Sequence, residues 1–237
     1  MQKNSTGYMY VFALVITLGC GVLLAVVSEL TKEAREANVR AEKMSNILAT
    51  VNYNFEKGTS NEEIEIKYNE LISEIVVDNA GNIIEGNAFD IKLKAEKKKD
   101  PSERQLPVFI FNSPEGSKYY VLPMRGNGLW GAVWGYISLA SDFQTVYGVK
   151  FDHESETPGL GAEITKEWFQ VQFAQGKKVF NEEEEVELTI LKGKGNELTE
   201  FTVDGISGAT ITGTGVSNMI KADLAEYKAY FSNEKNS

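Results

Sequence analysis

From Tyr8 to Val27 the chain runs without a charged side chain, and Val, Leu, Ile and Phe make up much of the run. As a helix it would rise about 30 Å, the thickness of a bilayer core, so a single-pass anchor is the expectation. A cleaved signal peptide would have a shorter apolar region closed by small residues, and no Ala-x-Ala-like site ends this one. Thr17-Leu18-Gly19-Cys20 faintly resembles a lipoprotein cleavage site, but the apolar run continues to Val27 after the cysteine. The expected organisation is a tail and transmembrane helix over 1–28, a stalk helix over 29–55 and one soluble domain over 56–237. Charge does not orient the span, because Lys3 and the amino terminus precede it while Lys32, Arg35 and Arg40 follow it.

The stalk is read from Leu30, Ala34, Ala37, Ala41, Met44, Leu48 and Val51, whose alternating spacing of four and three keeps one face apolar. Its alanines are too small for a coiled-coil seam, which leaves a helix packed on its own domain or on a partner subunit. Ser60-Asn61-Glu62-Glu63 has the form of a capping box opening a helix to about Leu71. Strands are expected around the turns Asp78-Asn79-Ala80-Gly81 and Ser113-Pro114-Glu115-Gly116, then at 132–139 and 145–151. Ile164 to Gln175 reads as a helix stopped by Gly176. Short strands are expected in 186–190 and 198–203, followed by a helix carrying Val216, Ile220, Leu224, Tyr227 and Phe231. The predicted class is α+β, with a mainly antiparallel sheet and flanking helices.

A net charge of -10 argues against nucleic acid, which requires a basic footprint. The acidic run Asn181 to Glu185 and the basic run Lys92 to Lys99 are expected to be solvated. For the basic run, contact with lipid or a partner is the other reading. Cys20, the only cysteine, lies in the span, so the chain alone supplies no disulfide, iron–sulfur cluster or cysteine zinc site, and no metal site is expected. His153 is the only histidine, which leaves little material for a Ser/His/Asp hydrolase, and no catalytic residue is assigned. Gly126-Asn127-Gly128-Leu129-Trp130-Gly131 matches the dinucleotide pattern G-x-G-x-x-G. The residues after it are β-like, so no helix end awaits a pyrophosphate, and a turn presenting Trp130 is expected instead.

Asp204-Gly205-Ile206-Ser207-Gly208-Ala209-Thr210-Ile211 sits where a strand pattern gives way to a helix pattern. Taken alone it is ordinary turn chemistry. Small residues around Thr210 leave its hydroxyl accessible, and a helix N-terminus just downstream offers unpaired N–H groups suited to a phosphate. In Glu156-Thr157-Pro158-Gly159-Leu160-Gly161 the Pro-Gly pair favours a type II turn, and Gly161 permits close backbone approach.

Gly128 to Gly131, Glu154 to Gly161 and the tetrad Ser207 to Thr210, in this order along the chain, resemble the signatures of the FMN-binding domain family. With one N-terminal span, the similarity extends to the family of C subunits of sodium-translocating NADH:quinone oxidoreductases. The resemblance implies FMN joined through its phosphate to Thr210, with Asp204, Ser207, Gly208, Ala209 and Thr212 around the linkage. It further implies that Glu156, Thr157, Leu160, Gly161 and Trp130 lie against the cofactor. Implied partners are the other subunits of a membrane redox complex, lipid, and a flavin transferase of the ApbE type during maturation. The implied location is the inner membrane with the domain on the periplasmic side, and the implied role is one-electron transfer. The homologous G subunit of the Rnf ferredoxin:NAD oxidoreductase is the near alternative, and a membrane-tethered assembly protein without cofactor is the distant one.

Overall fold

A computed structural model describes residues 6–193 and 198–236; Lys3, counted in the charge bias above, lies outside them. The chain divides into two compact units, 1–43 and 44–237. In the first, α1 (Thr6–Leu30) is 25 residues long with a mean hydropathy of 2.6 and no buried residue, long and apolar enough to cross a membrane. Helix α2 (Lys32–Ala49) follows and ends inside the second unit.

The second unit is built on a six-stranded sheet in which every neighbouring pair is antiparallel. Its strands are β1 (Ile72–Val77), β2 (Ile83–Ile84), β3 (Leu106–Asn112), β4 (Lys118–Asn127), β5 (Ala132–Leu139) and β6 (Val146–His153), in the order β2-β1-β3-β4-β5-β6. Helix α3 (Asn61–Leu71) enters the sheet directly, and the Ser60 hydroxyl oxygen accepts from Glu63 N at 3.2 Å, as the capping sequence predicts.

Alternation along the strands sends side chains to two cores. One face carries Leu122, Met124, Val133, Ile137 and Phe151, all at most 1% exposed. They join one apolar cluster with α6 (Thr210–Glu226) and α7 (Lys228–Lys235) through Val216, Ile220, Leu224 and Phe231. The opposite face meets the end of α2, where Ser138 Oγ donates to Thr50 O at 2.7 Å beneath the buried Met44, Ile47 and Leu48.

Two expectations change in detail. The segment 164–175 is not one helix; it forms 3-10 turns at Gly161–Thr165 and Val171–Ala174 around the short α5 (Glu167–Gln170). Lys166 is extended, and the Ile164 carbonyl accepts from the buried Gln170 side chain at 3.0 Å. The break lets Ile164, Phe169 and Phe173 all reach zero exposure in the core around Phe151. The expected strands in 186–190 and 198–203 shrink to β7 (Thr189–Ile190) and β8 (Thr202–Val203), paired in parallel. Residues 187 and 188 bond instead to the Val179 carbonyl.

Candidate functional site

Helix α6 begins at Thr210, immediately after the turn that Ser207 and Gly208 form. Gly208 has φ +77°, a backbone conformation that favours glycine, and a Cβ there would stand 2.8 Å from Leu160 Cδ2 and push that side chain aside. No side chain caps α6, because its N-cap is Ala209. The first N–H groups of a 17-residue helix are therefore open to a ligand.

Three segments distant in sequence converge at this helix end. The β4–β5 hairpin closes through Gly128 N donating to Gly131 O at 2.8 Å and exposes Leu129 and Trp130 at its tip. No helix starts there, in agreement with the reading of the glycine pattern as a turn. The loop after β6 makes the expected Pro-Gly turn: Leu160 N donates to Thr157 O at 3.1 Å, with Gly159 at φ +77°. Between hairpin, loop and helix lies a cavity of about 250 Å³. Trp130, Glu156, Thr157, Leu160 and Gly161 line it, together with the helix start from Gly208 to Thr212.

Glu156 ties these segments together. Its side chain is 4% exposed; Oε2 accepts from Thr212 Oγ1 at 2.6 Å and Oε1 accepts from Trp130 N at 2.8 Å. Burial pushes its carboxyl up, but the Thr212 hydroxyl and the N–H groups of Trp130, Gly131 and Leu129 outweigh it and hold the group below its usual value. Gly161 packs so tightly here that a Cβ would collide with Glu156 Oε2 and lie 2.5 Å from Thr212 Oγ1. Glu156 is thus a buttress within the site.

The two threonines two residues apart have opposite fates. Thr212 is 1% exposed and its hydroxyl is committed to Glu156. Thr210 is exposed and lines the cavity. Asp204 and Ser207, named from the sequence, do not line it: Asp204 N is held by Gln172 Oε1 at 3.0 Å, and Ser207 is exposed on the turn.

Ile211, Leu129 and His153 were in view in the sequence but not assigned to the site. Ile211, 58% exposed, and Leu129, 47% exposed, add apolar walls to the cavity beside Trp130 and Leu160. The signal for Ile211 was available, since it falls off the three-and-four spacing that runs back from Val216. His153 Nδ1 accepts from Glu156 N at 3.2 Å and so fixes the loop that delivers the buttress.

A planar apolar cofactor with an anionic end fits these residues. Four exposed apolar side chains line one cavity together with the start of a helix that no side chain caps. Residues 128–225, which span all three segments, match the FMN-binding domain family. The chain is 33% identical over 240 residues to the C subunit of the Na(+)-translocating NADH-quinone reductase of Haemophilus ducreyi, covering 93% of this chain and 90% of that one. Its structure is similar to that of the corresponding C subunit from Parabacteroides distasonis, with a TM-score of 0.75 and 39% identity over 85% of this chain and 96% of the other. NqrC of Shewanella oneidensis gives 0.72 at 25% identity, over 84% and 98% of the two chains.

Proposed function

The chain belongs to the family of C subunits of sodium-translocating NADH-quinone reductases, and we propose from that premise that it is a membrane-anchored, FMN-carrying electron-transfer protein with FMN joined through its phosphate to Thr210. The observation that carries the assignment is the unequal state of two hydroxyls on one helix turn. Thr212 is buried and bonded to Glu156, whereas Thr210 stands exposed at the cavity wall. FMN, when bound, supplies one-electron exchange with redox centres of neighbouring subunits.

The protein's own residues hold and shield. The first N–H groups of α6 favour a phosphate next to Thr210. Leu129, Trp130, Leu160 and Ile211, the exposed apolar residues of the cavity, would pack against the flavin and keep water from it. A cavity of about 250 Å³ is too small to engulf a large ligand, which suits a carrier whose cofactor must stay within reach of partners. NADH and quinone meet other subunits. An ApbE-type transferase reaches Thr210 from the exposed side of the turn, and the domain lies on the periplasmic face.

The test is a denaturing gel of the chain co-produced with such a transferase and viewed under ultraviolet light. The wild type gives a fluorescent band and Thr210→Ala gives none. A band that survives Thr210→Ala contradicts the assignment.

A further inference from the structure

We propose that the basic, aromatic-lined groove beside the Leu129–Trp130 turn is the docking surface for an acidic segment of the protein that exchanges electrons with this one. The inference deepens the reading of Thr210 as flavin carrier and rests on it for the groove's purpose, but its geometry is independent.

The groove has a volume of about 480 Å³ and shares Leu129 and Trp130 with the cavity at Thr210. Lys94 and Arg125 continue it into a second depression of about 300 Å³, lined by Trp134 and Tyr136. Trp130 is 66% exposed, and the Arg125 guanidinium lies 5.7 Å from the centre of the Trp134 ring. Trp, Tyr and Arg are the residue types that dominate binding energy at protein interfaces. An occupant of the groove would stand against the other side of the wall that shields the flavin.

Charge identifies the occupant. The chain carries 34 acidic against 24 basic residues, so an acidic partner is repelled by most of the molecule. Around the groove the balance reverses: Lys92, Lys94 and Arg125 face it, with Glu154 the carboxylate on its wall. Glu154 Oε2 accepts from Ala132 N at 3.3 Å, which turns part of its charge inward. Such an island steers an acidic segment to one place and one orientation.

The frame is also fixed. Helix α4 (Leu93–Glu96) carries Lys94, and Lys97 just after it reaches inward to bond the Arg125 carbonyl and Asp223. Asp223 Oδ2 in turn accepts from Arg125 N at 2.6 Å. The basic run, expected to be solvated with lipid or partner contact as the other reading, is therefore bolted to β4 and α6 through Lys97. Lys94 remains exposed on the outer side.

The test uses the assembled membrane complex. Zero-length carbodiimide coupling followed by peptide mass spectrometry joins Lys94 or Lys92 to Asp or Glu of another subunit. Lys94→Glu, and separately Arg125→Gln, slows stopped-flow electron exchange at the flavin of this chain about tenfold at low ionic strength. The deficit shrinks as salt is raised, and covalent flavin content is unchanged. Lys118→Glu, at the far end of β4, leaves the rate unchanged. Cross-links confined to this chain's own carboxylates overturn the proposal, as does an unaltered rate in both variants. A rate loss that follows the anionic lipid content of proteoliposomes, without cross-links between subunits, assigns the groove to lipid and also overturns it. If the wild-type band lacks covalent flavin, the Thr210 reading fails, while the cross-link result still decides whether the groove docks a protein.

Discussion

Glu156 and Asp223 are two carboxylates of nearly equal exposure, 4% and 5%, that anchor opposite ends of α6 to the β4–β5 hairpin, yet the protein drives their acidities apart. Glu156 arrives from a loop and collects donors: one hydroxyl and the N–H groups at a hairpin tip. Asp223 belongs to the helix and has fewer donors, one backbone N–H and Lys97. Burial raises its pKa to about 6, against the attraction of Lys97 and the Arg125 N–H. The number of donors, weighed against the cost of burial, thus sets the charge of a buried carboxylate. The cavity end of α6 is held by a charged clamp, whereas the far end is held by a group that takes up a proton in mild acid.

Removing the clamp has the largest expected effect. Glu156→Ala leaves the buried Thr212 hydroxyl and the partly buried Trp130 N–H without an acceptor, at a cost of about 4 kcal/mol. Thermal denaturation followed by circular dichroism should show a melting temperature lower by about 10 °C, and flavin attachment should be lost with the converged segments.

Asp223→Asn tests the other half of the contrast. A carboxyl whose pKa is raised on folding contributes stability that is fully present below its unfolded value near 3.8 and lost as pH rises through about 6. That slope amounts to about 3 kcal/mol, so urea denaturation at pH 4, 5, 6 and 7 should show wild type and variant diverging across this window. Glu156 carries the opposite sign: its contribution is present above the usual carboxylate range and fades as pH falls. A wild type and Asp223→Asn pair with parallel profiles would remove the contrast.

Gly161→Ala forces a methyl group against Glu156 and Thr212 and should cost about 2 kcal/mol by urea denaturation. The smallest stability effects separate the two threonines. Thr212→Val removes the donor to Glu156 at about 1.5 kcal/mol but keeps gel fluorescence. Thr210→Ala, at an exposed position, should change stability by less than about 0.5 kcal/mol while abolishing fluorescence.

Much of this was legible in the sequence because it depends on local chemistry. The apolar run, the Ser60 cap, the Ser113 to Gly116 turn and the Pro158-Gly159 turn are each set by the residues that form them. The three motifs could be identified, and the structure brings them to one cavity. Roles within the cavity were less legible. Glu156 was expected against the cofactor, but its partners lie 26 and 56 residues away, a relation no spacing pattern reports. Lys97 looked like one more solvated lysine because its partner Asp223 is 126 residues distant. The helix expected over 164–175 broke because long-range burial of Phe169 and Phe173 overrode a continuous helical pattern.

One hydroxyl among several neighbours is assigned the cofactor. Ser207 is exposed outside the cavity, Thr212 is committed to Glu156, and Thr214 Oγ1 bonds back to the Thr210 carbonyl at 2.9 Å. Fragmentation mass spectrometry of the proteolytic peptide covering 204–221, from chain co-produced with the transferase, reads the attachment point atom by atom. An FMN phosphoester on Thr210 alone is the expected result; the modification on Ser207, Thr212 or Thr214 would refute the assignment.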